Sequence, residues 1–198
     1  MQRFVAAATA TPSDATLSAL IASLDAGQCV ALPTDTSYAL AADALDDDAI
    51  ARLLSAAGER SAGACLALVG GFEDIHHVAF HDGLARTLTE AFWPGPLALR
   101  LRARPWLPEL VTGGHGHIDV WAPGHATTRA LANHFGPLAA IVTGATSLDA
   151  LADQRLPASC AIDAGTLPGG TPTLVDGAEG SVLREGPVDT AQVQAFGR

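Results

Sequence analysis

The chain has 198 residues, enough for one α/β domain with a sizeable core, and 48% are apolar against 16% charged, which excludes a disordered protein. Its formal charge is −10 and all eleven basic residues are arginine, a field that opposes broad attachment to nucleic-acid phosphates but leaves room for a local basic pocket. No apolar run approaches bilayer length, and the opening Met1-Gln2-Arg3-Phe4 is a poor signal peptide, so a cytoplasmic protein without a membrane partner is expected.

Ser13 or Asp14 caps a helix running to about Ala26, with Gly27 as its stop. Strands follow near 28–33 and 37–43, the first built on Cys29-Val30-Ala31-Leu32. Pro33 ends ladder pairing there because it has no N–H to donate. Thr34, Asp35, Thr36 and Ser37 then collect hydroxyls and a carboxylate at a strand end, where α/β proteins often hold ligands. The simpler alternative is a polar turn whose side chains serve their own backbone.

Asp46, Asp47 and Asp48 start a second helix with Ile50, Leu53 and Leu54 on its buried face, and the acids suit the positive end of its dipole better than a metal. A strand near 65–69 and a helix near 82–91 come next. From Leu97 the pattern alternates, with Leu97, Leu99 and Leu101 on one side and Arg100, Arg102 and Arg104 on the other. Those arginines form either a solvated outer face or the cationic wall of a cavity. Strand 117–122, helix 126–135, strand 138–143 and a short helix after Ser147 continue the alternation. Strands near 159–163, 172–176 and 181–184 precede a last helix at about 188–196. Residues 1–198 therefore read as a single domain, a twisted mixed β-sheet with flanking helices.

Cys29, Cys65 and Cys160 are odd in number and scattered, as buried reduced thiols are. His76, His77 and His81, and His115 with His117, lack the carboxylate or thiolate company of a defined metal site, so no metal ligands are assigned. Pro168-Gly169-Gly170 reads as a connecting loop.

Two segments carry more than their local chemistry. Pro33-Thr34-Asp35-Thr36-Ser37-Tyr38-Ala39-Leu40 and Trp93-Pro94-Gly95-Pro96-Leu97 together resemble the YrdC-like family. Gly136-Pro137-Leu138-Ala139-Ala140, Thr173-Leu174-Val175-Asp176 and Leu183-Arg184-Glu185-Gly186 follow in the family's order. The resemblance implies a YrdC-like α/β domain with a concave cavity. It also implies the activity of threonylcarbamoyl-adenylate synthases, in which ATP, accompanied by Mg²⁺, L-threonine and bicarbonate yield the adenylate and pyrophosphate for tRNA modification. That chemistry needs cations around the triphosphate and hydroxyls that orient the amino acid.

Carried over by the resemblance, Thr34 and Thr36 supply hydroxyls on the threonine side, and Tyr38 is the aromatic that follows. Thr143 and Thr173 are further substrate-side hydroxyls. Arg60 is the catalytic and nucleotide-binding cation, and Arg184 the late nucleotide contact. The same comparison marks departures. Gly58 stands where the family carries a lysine, Ala64-Cys65-Leu66 replaces Asn-Pro-Leu, and Val69 occupies a frequent histidine position. Trp121 replaces an arginine, either to stack on a base or to plug the space, and Val142-Thr143-Gly144 replaces Ser-Ala-Asn. Each lost transition-state contact is expected to cost about two to three powers of ten in rate, unless Arg100, Arg102 or Arg104 compensates. The alternative implied by these departures is a YciO-type paralogue that binds a nucleotide or RNA in the same cavity without catalysis.

Overall fold

The Ser13 hydroxyl accepts the Thr16 N–H and opens α1, Asp14–Asp25, whose Leu17, Leu20 and Leu24 recur on one buried face. Asp46 caps α2, Asp47–Ala57, through the N–H groups of Asp48 and Ala49, so the aspartate run is a helix start. Asp82 does the same for α3, Gly83–Phe92. Further on come α4, Glu109–Thr112, α5, Ala126–Phe135, α6, Leu148–Asp153, and α7, Thr190–Gln194. The last is shorter than the expected 188–196, because Asp189 and Gln192 form a capping box that sets its start.

The strands are β1, Gln2–Val5, β2, Val30–Pro33, β3, Tyr38–Asp43, β4, Leu66–Leu68, β5, Ala79–Phe80, and β6, Leu97–Ala103. They continue with β7, His117–Trp121, β8, Leu138–Val142, β9, Cys160–Asp163, β10, Thr173–Asp176, and β11, Val182–Arg184. The computed structural model describes residues 1–58 and 65–196. Among these residues the strands join one mixed sheet in the order β1-β9-β2-β3-β8-β4-β7-β6-β10-β11, with β5 added to β6. β1 had no signal in the sequence, being short and largely exposed; parallel pairing with β9 makes it a strand.

Apolar clusters cover both faces of the sheet. Ile50, Leu53 and Leu88 from α2 and α3 pack with Leu40, Leu97, Leu99 and Val120 on one side. Leu17, Leu20 and Leu131 from α1 and α5 pack with Leu32, Ala98, Trp121 and Leu138 on the other. Strand β2, in contact on both faces, is an unbroken apolar run for that reason. The alternation in β6 is as expected: Leu97, Leu99 and Leu101 are buried, whereas Arg100 and Arg102 are exposed. Each fully buried leucine contributes about 1.5–3 kcal/mol. Among the described residues no helix is long and apolar enough to cross a membrane.

Candidate functional site

Between β2 and β3 the chain reverses through Thr34–Ser37. The Thr34 hydroxyl donates to the Ser37 carbonyl at 2.6 Å and accepts the N–H groups of Thr36 and Ser37 at 3.3 Å each. Thr34 thus serves its own turn, as the simpler reading of the segment expected. The Thr36 hydroxyl lies 3.4 Å from that of Thr34. Thr34, Thr36 and Ser37 expose 3% of their surface or less, so the turn is held inside the molecule.

Each flank of the turn is tied to a distant loop. Tyr38, fully buried, donates its phenolic O–H to the Gly165 carbonyl at 2.9 Å and accepts the Ala164 N–H at 3.0 Å. Burial raises its pKa above the usual phenol value, opposed by the Ala164 bond. The Gly169 N–H donates to the Thr36 carbonyl at 2.6 Å, and the Ser37 hydroxyl to the Gly170 carbonyl at 3.2 Å. Pro168-Gly169-Gly170 is therefore a strap across the turn as well as a connection. Gly165, Gly169 and Gly170 all have positive φ, at 75°, 98° and 83°, a region other residues enter only with strain. On the opposite flank Asp35 accepts the Gly124 N–H at 2.8 Å, and the Thr128 hydroxyl donates to the Pro33 carbonyl at 2.7 Å. Burial raises the Asp35 pKa, while the Gly124 bond, its own backbone and Arg129 oppose the rise.

Of the remaining candidates, Thr143, Thr173 and Arg184 lie among the described residues. Thr143 follows β8, and its hydroxyl donates to the Tyr38 carbonyl at 2.6 Å. Thr173 begins β10, three residues after Gly170, and its buried hydroxyl exchanges hydrogen bonds with Val188, donating to the carbonyl at 3.0 Å and accepting the N–H at 2.9 Å. Arg184, exposed on β11, reaches the Pro172 carbonyl at 3.3 and 3.4 Å. Arg60 lies outside the described residues, as do Glu59, Ser61 and Ala64. Gly58 closes α2 at φ 56°, ψ −135°, a conformation essentially restricted to glycine. The position aligned with the family's lysine is thus a glycine turn.

Trp121 is fully buried, and its indole N–H donates to the Gly95 carbonyl at 2.6 Å. It plugs the interior and pins the Trp-Pro-Gly-Pro segment; it does not present a ring for stacking. Arg100 and Arg102 do line a cavity of about 510 Å³. Yet Arg100 meets the Asp119 carboxylate at 2.8 and 3.2 Å, and Arg102 and Arg104 cover the Phe80 ring at 4.3 and 4.0 Å. Solvated face and cavity wall coexist in these arginines. Among the described residues no group of three histidine, cysteine or acidic side chains could hold a metal ion. The three cysteines are free and buried.

Two functional-site neighbours were not legible in the sequence: Gly124 with Asp35, and Gly165 with Tyr38. Their only trace was a glycine in each partner loop.

Fold and site together define an α/β protein whose mixed sheet carries a buried, hydroxyl-rich strand-to-strand turn clamped by two loops. The Sua5/YciO/YrdC family model, described as "Telomere recombination", matches residues 22–186, and the chain belongs to this family. A Mycobacterium tuberculosis protein provisionally named as a threonylcarbamoyl-AMP synthase is 36% identical over 185 residues, covering 87% of this chain and 85% of that protein. The crystal structure of P. abyssi Sua5 complexed with L-threonine superposes with a TM-score of 0.86 at 26% identity, over 98% of this chain. The chain spans 60% of the length of that Sua5 chain. E. coli YciO shares the fold, with a TM-score of 0.82 at 20% identity over 95% of this chain and 97% of its own.

Proposed function

We propose that the protein is a threonylcarbamoyl-AMP synthase, converting ATP, L-threonine and bicarbonate to threonylcarbamoyl-adenylate, pyrophosphate and water in the cytoplasm, for tRNA modification. The observation that carries this reading is the match of nearly the whole chain to a Sua5 structure holding L-threonine. In the reaction, the threonine amine takes up the carbon of bicarbonate with loss of water. The resulting carbamate oxygen attacks the α-phosphorus of ATP, and pyrophosphate leaves. The protein's part is to align the amino acid and neutralise developing charge. Thr36, with Thr34 holding the turn, would face the amino acid; Arg60 and Arg184 would meet the phosphates. Mg²⁺ enters with ATP as part of the substrate, its positive charge easing the departure of pyrophosphate.

A second reading is favoured by two residues. Gly58 is bound into a helix end and Trp121 into the interior, so neither position offers a cation. On that reading the protein binds a nucleotide or RNA in the same place without turnover.

The experiment is pyrophosphate release from purified protein given ATP, Mg²⁺, bicarbonate and threonine, with a Thr34→Ala/Arg60→Ala control. Threonine-dependent release that vanishes in the control is the expected result. Absent release from folded protein that still binds ATP supports the binding module and ends the synthase reading.

A further inference from the structure

Asp35 stands in the turn but takes no part in the proposed chemistry. We infer that Asp35 is a positioning residue whose bond to Gly124 fixes the Thr34–Ser37 turn against the start of α5, and so sets where the turn's hydroxyls stand toward the amino acid. This rests on the synthase reading above.

The contact is specific on both sides. Asp35 Oδ2 accepts the Gly124 N–H at 2.8 Å, and Oδ1 lies so close that a Cβ on residue 124 would sit 2.3 Å from it. A Cβ at 124 would therefore displace the carboxylate it faces. The same loop is held from its carbonyl side, where Arg129 Nη1 donates to Gly124 at 2.5 Å and to Pro123 at 3.2 Å. Thr128 adds a parallel tie to Pro33. Asp35 lies at the N-terminal end of α5, where negative charge is favoured. Its carboxylate is nevertheless largely withdrawn from water, a cost that a residue serving only as turn polarity would not impose.

The opposite flank explains why the clamp acts on position. Gly169 and Gly170 hold Thr36 and Ser37 from one side, and among the described residues the α5 side without Asp35 retains only the Thr128 tie. The turn would then be free to tilt toward the strap, carrying Thr34 and Thr36 with it. Displacements of about an ångström in a substrate-orienting group can cost one to two powers of ten. The loss should fall on the amino acid and not on the nucleotide, because Arg184, the nucleotide contact among the described residues, is anchored independently at Pro172.

The test compares wild-type protein with Asp35→Ala, Asp35→Asn and Gly124→Ala, measuring kcat and KM for threonine and for ATP, with thermal melting alongside. Asp35→Ala is expected to raise the threonine KM about tenfold or more while the ATP KM stays within about threefold. Asp35→Asn keeps an acceptor for the Gly124 N–H and should recover most of that loss. Gly124→Ala pushes on Oδ1 and should reproduce the alanine variant, which keeps the test alive if Asp35→Ala does not fold. A lowered melting temperature with an unmoved threonine KM overturns the inference, as does equal loss for both substrates. A wild-type protein without threonine-dependent release overturns the synthase reading and the inference together; an active wild type with unaffected variants overturns the inference alone.

Discussion

Trp121 and Gly95 are joined by a buried N–H···O=C bond of 2.6 Å that ties the end of β7 to the turn preceding β6. The Gly95 N–H returns a bond to the Ala122 carbonyl at 3.1 Å, so the two segments are stapled in both directions. A side chain placed this way stabilises by volume and by a second bond to a buried carbonyl that also accepts the Leu97 N–H at 2.9 Å.

Trp121→Phe keeps most of the volume but removes the indole donor from the Gly95 carbonyl, which retains the Leu97 N–H at 2.9 Å. It should lower stability by about 0.5–1.5 kcal/mol, and Trp121→Ala by about 3–5 kcal/mol. Urea denaturation followed by circular dichroism measures both. Equal midpoints for wild type and Trp121→Phe would show that the hydrogen bond contributes nothing.

His125 precedes α5 and is buried, and neither of its ring nitrogens makes a hydrogen bond of good geometry among the described residues. Burial lowers its pKa from 6.5, opposed by the Ala6 backbone and assisted by Arg129. The folded state therefore binds this proton more weakly than the unfolded state does. Stability from this group is present above about pH 6.5 and is lost as the pH falls through the lower folded value. Melting temperature against pH should decline on the acid side of that point, with a shallower slope in His125→Gln.

Cys65 is buried, and its thiol pKa is pushed up to about 12, chiefly by burial and further by neighbouring Cys29, whose own pKa burial also raises. Because the thiolate is the reacting form, neither thiol should titrate with a disulfide reagent at pH 8 until the protein is unfolded. Rapid labelling of Cys65 in folded protein would contradict this placement.

Arg100, Arg102 and Arg104 are committed to Asp119 and Phe80. The Arg100–Asp119 pair is half-exposed, with side-chain exposures of 42% and 21%, so its loss should cost no more than about 1 kcal/mol and matter less in high salt. Replacing all three by glutamine should leave threonine-dependent pyrophosphate release within about threefold. A loss of two powers of ten would assign them the role of the absent family cations.

Local interactions were readable from the sequence alone. The caps at Ser13 and Asp46 act on N–H groups two or three residues ahead, so composition and order determine them. The leucine–arginine alternation of β6 and the apolar run of β2 follow from the two-residue strand period and from burial on one or both faces. The Pro33–Ser37 turn was visible because its chemistry is contiguous. Tertiary structure alone decided what surrounds it: Asp35 finds its partner 89 residues away, Tyr38 127 residues away and Ser37 133 residues away. It decided, too, that β1 is a strand, since β1 exists only by pairing with β9. Hydrogen bonds between distant loops depend on where the sheet carries their ends, and a glycine in a loop does not say which side chain it was left small to admit.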